Sequence, residues 1–340
     1  MGSVESRGEA MSDNLSDRTV SGQMNVANLG CKLWAVGGGK GGIGKSLISL
    51  NLAYWLAKLK QKVVLVDADL GGANLHTLLG IRFVKHTLAD YLNKRVAALD
   101  DVAIPTPISG LRLICGASDI VGLANPKYQQ KQKIIKALQQ LDADHLILDL
   151  GAGSNYDTLD FFLSCHYKIA VITPQPTALQ NGYGFIKSAL YRSITREFSN
   201  NTLLAPVIAR ATDQNANDPI ASITDLIDAF EKVHPSNSER LQKLISDFHL
   251  YLIANMVRTA KDRKAAEIIK TVIQKYLNLE QVSLLGSISY DQQVEDSIAL
   301  MKPAFMNKTN NQSSLEFYEM VYDLIKMTSP VKGNENKVHL

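Results

Sequence analysis

Ten residues near the start of the chain combine closely spaced glycines with two lysines and a serine. From residue 37 onward they read Gly-Gly-Gly-Lys-Gly-Gly-Ile-Gly-Lys-Ser. Gly39, Gly44, Lys45 and Ser46 have the spacing of a phosphate-binding loop, in which backbone N–H groups surround anionic oxygens and glycines keep side chains away. Lys45 then contacts the terminal phosphates of a nucleoside triphosphate, and Ser46 binds Mg²⁺. Lys40 is a second lysine inside the loop, where this pattern requires none.

The same glycines also fit Gly-x-Gly-x-x-Gly, a pattern typical of dinucleotide-binding folds. A dinucleotide site has no use for a Lys-Ser pair at the start of the next helix, whereas a site for a triphosphate and a metal does. The flanks agree with the second interpretation. Leu33–Val36 is a short apolar run suited to a buried parallel strand, and Lys45–Leu59 contains no helix breaker. A strand, a loop and a helix N-terminus in this order predict a triphosphate site.

Composition and charge exclude several other classes of protein. The chain has 340 residues, 46% of them hydrophobic, and a formal net charge of +3, which is too small to indicate nucleic-acid binding. No apolar run approaches the roughly 18 residues of a membrane helix. Cys31, Cys115 and Cys165 lie far apart, so neither a disulfide framework nor an iron–sulfur site is indicated. His76, His145 and His166 are expected to be structural.

Apolar strand-like runs alternate with helical stretches through the rest of the chain. This alternation predicts an α/β fold with a doubly wound, mostly parallel sheet and helices on both faces. The further predicted strands are Val63–Val66, Leu111–Ile114, Leu146–Leu148, Ile169–Ile172, Leu252–Ala254 and Leu284–Ile288. The main predicted helices are 86–95, 126–141, 178–195 and 262–277.

Acidic residues follow two of the predicted strands. Asp67 and Asp69 are two residues apart, so both can face a metal–phosphate centre, where one would hold Mg²⁺ and the other orient water. Asp149 ends a second apolar strand, as the Walker B aspartate of a P-loop protein does, and Gly151 and Gly153 let the backbone pass close to the phosphate. Because ligands bind beyond the carboxyl ends of parallel strands, these residues are expected to meet at one edge.

Three motifs together resemble the deviant-Walker-A ATPases of the MinD/ParA superfamily. They are Lys40 within its P-loop, Asp67-Ala68-Asp69 followed by Gly and Asn74, and Asp149 with its Gly-Ala-Gly turn. The turn is nearer to the FlhG/FleN-like branch. Residues 255–258, Asn-Met-Val-Arg, resemble the strand-end motif in which the Asn recognises adenine. Residues 286–291 resemble the Ile-Pro-x-Asp loop over the base, except that Ser289 replaces the proline.

This resemblance implies a P-loop NTPase fold and a Mg²⁺-dependent ATPase that works as a switch. Its members form a face-to-face dimer with two ATP molecules between the subunits and hydrolyse ATP slowly. Lys40 would reach the partner's phosphates, Lys45 those of its own subunit, and Asp69 would orient water. The expected catalytic residues are Lys40, Lys45 and Asp69. The expected nucleotide contacts are Gly39, Lys40, Gly41, Gly42, Ile43, Gly44, Lys45, Ser46, Leu47, Asn255 and Arg258. The expected metal ligands are Ser46, Asp67 and Asp149.

The expected domain organisation is a disordered leader (1–30), one ATPase domain (31–328) and a disordered tail (329–340). A helical insertion at about 196–250 is longer than a crossover helix needs and is the best candidate for a partner-specific surface. A purely structural insertion stays open. The last helix, about Ser313–Met327, has an apolar stripe but also acidic residues, which favours core packing over a membrane anchor.

Two functional classes remain open. The first is a cytoplasmic ATPase whose ATP-bound dimer positions or regulates a protein client, with flagellar or polar machinery as the leading candidate and recruitment to a pole or envelope site through a partner. The second is a nucleoid-binding, ParA-like partition ATPase, which needs a band of Lys and Arg. Arg258, Lys261, Arg263 and Lys264 form the only compact basic cluster near the expected site. A solvated helix start is the common explanation of such a cluster, so DNA binding is not favoured.

Overall fold

A computed structural model of the chain describes residues 30–69, 74–116, 128–213, 215–216, 218–299 and 311–328. The predicted tail, and the predicted leader apart from residue 30, lie outside these ranges. Within them eight strands form one sheet. They are β1 Lys32–Gly37, β2 Val63–Asp67, β3 Ile104–Pro105, β4 Leu111–Ile114, β5 His145–Asp149, β6 Tyr167–Ile172, β7 Leu250–Val257 and β8 Val282–Ser289.

Helices connect most of these strands. Those in the described residues are α1 Lys45–Lys58, α2 Leu75–Leu78, α3 Leu88–Leu92, α4 Tyr128–Leu138, α5 Tyr156–Ser164, α6 Pro176–Glu197, α7 Ala205–Thr212, α8 Ile223–Val233, α9 Pro235–Ser246, α10 Ala260–Leu277, α11 Gln292–Ala299 and α12 Gln312–Thr328. No helix in this part of the chain is long and apolar enough to cross a membrane.

The strand order is β3-β4-β2-β5-β1-β6-β7-β8, and every neighbouring pair is parallel except β3 with β4. The predicted mostly parallel sheet is therefore confirmed. Strand β3 was not predicted, because two residues carry no periodicity. The order places β1 in the middle of the sheet, with β5 and β2 on one side and β6, β7 and β8 on the other.

Both faces of the sheet are buried. Along β1, Leu33 and Ala35 pack into one core cluster with α4, α5, α6 and α10, whereas Trp34 and Val36 pack into the other with α1 and α12. This alternation follows from the strand period of two. Helices on both faces explain why the strands read as continuous apolar runs rather than alternating ones.

Helices α7, α8 and α9 form the insertion between α6 and β7. Their apolar side chains join the same core cluster as α6, and the rings of Phe198 and Phe230 meet edge to face at 5.0 Å. Helix α8 begins after Ser222, whose side chain accepts a hydrogen bond from the Asp225 N–H. The insertion is thus packed on the body of the molecule through the end of α6.

Candidate nucleotide-binding site

The loop from β1 to α1 exposes the N-terminus of a helix. Helix α1 begins after Gly44, whose φ of 87° lies in the left-handed region that favours glycine. No side chain of the described residues caps this end, and no acidic residue lies in its first turn. The first N–H groups of a helix need acceptors, and the helix dipole favours an anion there. The residues present therefore fit the phosphates of a nucleotide.

The two lysines of the loop differ in their surroundings. Lys45 is 8% exposed, and its Nζ lies 3.4 Å from the carbonyl oxygen of Lys40. Burial lowers the pKa of Lys45, while the charges of Asp149 and Asp69 act in the opposite direction. The Lys40 side chain is exposed and forms no ion pair with any residue that the structure describes. Lys45 therefore points into the site, and Lys40 lies on the surface of the loop.

Asp149 lies at the end of β5, beside the first turns of α1. Its carboxylate is 2% exposed and accepts hydrogen bonds from Ser46 and from Ser49, whose Oγ is 3.0 Å away. Burial raises the pKa of Asp149 to about 6, although both serines and the Lys45 charge lower it. The Asp149 carboxylate and the Ser46 hydroxyl are oxygen ligands of the kind that Mg²⁺ takes in proteins.

Asp67 ends β2 and pairs in register with Asp149. It is 1% exposed, and its carboxylate accepts the Leu75 N–H at 3.1 Å and the Asp69 N–H at 3.3 Å. Burial, followed by the negative charge of Asp149, raises the pKa of Asp67 to about 7. Asp67 therefore holds the turn after β2 and lies beside Asp149.

Asp69 lies directly above the backbone of the loop that follows β5. A Cβ atom placed on Gly151 would lie only 3.1 Å from the Asp69 Oδ1 atom. This contact gives Gly151 a physical role, since a side chain there would displace the carboxylate. Residues 70–73 of the same motif lie outside the described residues.

Asn255 supports the P-loop from the far side. It is 2% exposed, and its Nδ2 donates a hydrogen bond to the Ile43 carbonyl at 2.9 Å. A Cβ atom on Gly44 would lie 2.3 Å from the same Nδ2 atom, so the loop and β7 are in close contact. The amide predicted to contact a base thus also fastens the loop, a role that its sequence context did not indicate.

Arg258 lies farther along the same edge and is exposed. Its guanidinium group stacks on the Tyr290 ring at 3.5 Å from the ring centroid. Tyr290 follows β8, and its N–H donates to the Val257 carbonyl at 2.9 Å. The β7 and β8 ends therefore form a second wall of the site. Tyr290 belongs to residues 286–291, which were expected to lie over the base. Ser49 was not predicted, and its position one helical turn after Lys45 was the available signal.

The remaining predicted contacts lie within the loop or in the first turn of α1. Gly41 and Gly42 are exposed, Gly39 is partly exposed, and Ile43 and Leu47 are buried in the core beneath α1. Leu47 can reach a phosphate only through its backbone N–H. The structure thus groups the predicted residues at the carboxyl ends of the strands, with carboxylates at the ends of β2 and β5 and Asn255 with Arg258 at the end of β7.

An α/β sheet with this loop and these carboxylates at its carboxyl edge defines a P-loop nucleotide-binding protein. Comparison with protein families agrees. Residues 34–304 match the model described as the CobQ/CobB/MinD/ParA nucleotide binding domain. The chain belongs to this family.

Curated relatives include the antiactivator FleN of Pseudomonas aeruginosa, 37% identical over 155 residues, which are 45% of this chain and 54% of FleN. The flagellum site-determining protein YlxH of Helicobacter pylori is 35% identical over 163 residues, 46% of this chain and 53% of YlxH. The chain thus spans about half the length of both relatives. These matches support the predicted resemblance to the FlhG/FleN-like branch.

Solved structures show the same fold. The septum site-determining protein MinD from Pyrococcus horikoshii, complexed with Mg-ADP, has a TM-score of 0.60 at 20% identity. The alignment covers 91% of this chain and all of MinD (100%). The predicted fold class is therefore confirmed along most of the chain.

Proposed function

We propose that this chain is an ATP-driven switch that binds Mg-ATP, dimerises around it, and hydrolyses it slowly to separate. The observation that carries this proposal is the contrast between the two lysines of the P-loop. Lys45 is buried beside Asp149, and Lys40 is exposed on the same loop. A site that already has its triphosphate lysine gains little in its own subunit from a second one. Lys40 is suited to the phosphates of a facing subunit.

The P-loop residues and the aspartates that follow β2 and β5 have separate roles in hydrolysis. Mg²⁺, when bound, neutralises charge on the β- and γ-phosphates. Ser46, Asp67 and Asp149 are the residues that would hold it. Lys45 stabilises charge on the phosphates, and Asp69, above Gly151, orients a water molecule. The chemistry is positioning and electrostatic stabilisation, with no covalent step for the protein.

The client of the switch is proposed from the relatives. An antiactivator and a flagellum site-determining protein are the first two curated relatives, which supports a role in regulating or placing a protein assembly at a site in the cell. The partition alternative has less structural support. In the basic cluster, Arg258 stacks on Tyr290 and Arg263 pairs with Glu316. Lys261 and Lys264 are exposed and make no such contact with the residues that the structure describes.

Sedimentation velocity of the full chain tests the switch. With Mg²⁺ and a slowly hydrolysed ATP analogue, we expect a dimer, and with Mg-ADP a monomer. A parallel assay should detect slow phosphate release from ATP. A chain that sediments as a monomer in both states, at concentrations where it binds the analogue, would contradict the switch.

A further inference from the structure

The loop that follows β8 is fastened to α12 through Ser289. The Ser289 N–H donates to the Glu316 Oε2 atom at 2.6 Å, and its hydroxyl donates to Oε1 at 3.0 Å. A proline at this position, as the family motif has, could not make the first bond because it lacks the N–H. The departure from the motif thus coincides with a carboxylate that uses the N–H.

Glu316 is a well-supported acceptor. Its side chain is 10% exposed and pairs with the Arg263 guanidinium, while Gln312 donates to Oε1 at 3.2 Å. Burial alone would raise the pKa of Glu316, but the hydrogen bonds from Arg263, Ser289 and Gln312 lower it overall. The Glu316 carboxylate therefore stays charged. Charged acceptors form the stronger hydrogen bonds.

The same loop has a second attachment to α12. The Asp291 carboxylate accepts a hydrogen bond from Asn311 and another from the Ser313 hydroxyl at 3.0 Å. Its other oxygen accepts the Gln293 N–H at 2.9 Å. Tyr290, between the two attachments, carries the Arg258 guanidinium on its ring. The loop is thus held on both sides of the residue that faces β7.

The direction in which a bound nucleotide would lie relates this loop to the base. The carboxylates and serines that suit a metal lie on the β2 and β5 side of the P-loop, so the terminal phosphates point that way. The nucleoside end of the ligand then extends to the opposite side, past Asn255 toward the ends of β7 and β8. The flat groups available there are the stacked Arg258 and Tyr290.

We propose that Glu316 is a positioning residue for the nucleotide base, acting through Ser289 to fix the loop of Ser289, Tyr290 and Asp291 against the end of β7. This inference rests on the proposed nucleotide site and adds the element that fixes its base side. The Glu316 carboxylate on α12 holds the loop through two hydrogen bonds from Ser289. Glu316 lies 27 residues from Ser289 in the chain, so the attachment is tertiary.

A comparison of two ligands tests the base side of the site separately from the phosphate side. Calorimetry would measure the affinity of the full chain for Mg-ATP and for inorganic tripolyphosphate with Mg²⁺, which has the phosphates but no base. Glu316→Ala removes the attachment through Ser289 and leaves the one through Asp291. The matched control is Glu319→Ala, because Glu319 is an exposed glutamate of the same helix. Because the loosened loop must then be ordered when the nucleotide binds, we expect about tenfold weaker ATP binding for Glu316→Ala.

The expected pattern is selective. Tripolyphosphate should bind Glu316→Ala as it binds the parent chain, and Glu319→Ala should match the parent for both ligands. Unchanged ATP affinity in Glu316→Ala would overturn the inference. So would a parallel loss of both ligands, because that result indicates general loosening rather than base positioning. A parent chain that binds neither ligand would instead refute the proposed function, and the inference with it.

Discussion

The two sides of the candidate site are built in different ways. On the phosphate side, the P-loop and the ends of β2 and β5 contribute backbone N–H groups and carboxylates that are almost fully buried. On the base side, the exposed Arg258 stacks on the half-buried Tyr290, and the chain neighbours of Tyr290 are hydrogen-bonded to α12. Buried electrostatic interactions are stronger than exposed ones because the local dielectric constant is lower. Substitutions on the phosphate side should therefore have the larger effects.

The largest effect is expected on the phosphate side, at Asp69. Asp69→Ala should retain ATP binding but reduce the hydrolysis rate by about 100-fold, since the proposed role of its carboxylate is to orient water. Asp149→Ala should instead weaken Mg²⁺-dependent nucleotide binding, because its carboxylate bonds Ser46 and Ser49. Single-turnover phosphate release and calorimetry separate the two outcomes. An unchanged rate in Asp69→Ala would remove this residue from the mechanism.

Asn255 lies between the two sides, and its substitution shows to which side it belongs. Asn255→Ala removes the donor to the buried Ile43 carbonyl and should loosen the P-loop. We expect about tenfold weaker binding of both ATP and tripolyphosphate, from the cost of an unsatisfied buried acceptor. Arg258→Ala, a base-side comparison, should leave tripolyphosphate binding unchanged. If Asn255→Ala lost affinity for ATP alone, its main role would be base recognition.

The smallest effect on the site is expected at the amino-terminal end of the strands, away from the site, where His145 begins β5. Trp34 Nε1 donates to its Nδ1 atom at 3.1 Å, and its Nε2 atom has no partner in the described part of the chain. Burial lowers the pKa of His145 to about 4. The unfolded chain takes up this proton near pH 6.5. The stability that the neutral ring contributes at neutral pH is therefore lost as the pH falls from about 6.5 toward 4.

Urea denaturation at a series of pH values tests this expectation. Over that range, the free energy of unfolding of the parent should fall more steeply than that of His145→Gln, by up to about 3 kcal/mol. Glutamine offers Trp34 an acceptor but does not titrate. Nucleotide affinity at pH 7.5 should be the same in both proteins. Parallel stability curves would show that His145 does not titrate on unfolding.

The phosphate side could be predicted from the sequence because each of its parts is a short, contiguous motif. A loop, a helix start and a strand-end aspartate each have a local pattern, and all were placed at one edge of the predicted sheet. The base-side attachment could not be predicted in this way. Ser289 and Glu316 lie on separate elements, and only the packing of α12 on β8 and α1 brings them together.

Several short elements were missed for local reasons. Helix α5 has nine residues and contains Phe161 and Phe162, which do not distinguish a helix from a strand. Helices α7 and α11 have eight residues each, too few to establish a period. Long elements were predicted well, since α6 and α10 differ from their predicted bounds by two residues at most. Their length provides several turns of consistent apolar spacing.

The central claim is that Lys40 acts on a facing subunit, and sedimentation velocity of the Lys40→Ala chain tests it most directly. The assay uses Mg²⁺ and a slowly hydrolysed ATP analogue, with the exposed Lys85→Ala as the matched control and Lys45→Ala as the variant that should not bind nucleotide. We predict that Lys40→Ala binds the analogue yet remains a monomer, while Lys85→Ala dimerises like the parent. If Lys40→Ala dimerised normally and hydrolysed ATP at the parent rate, the claim would be wrong.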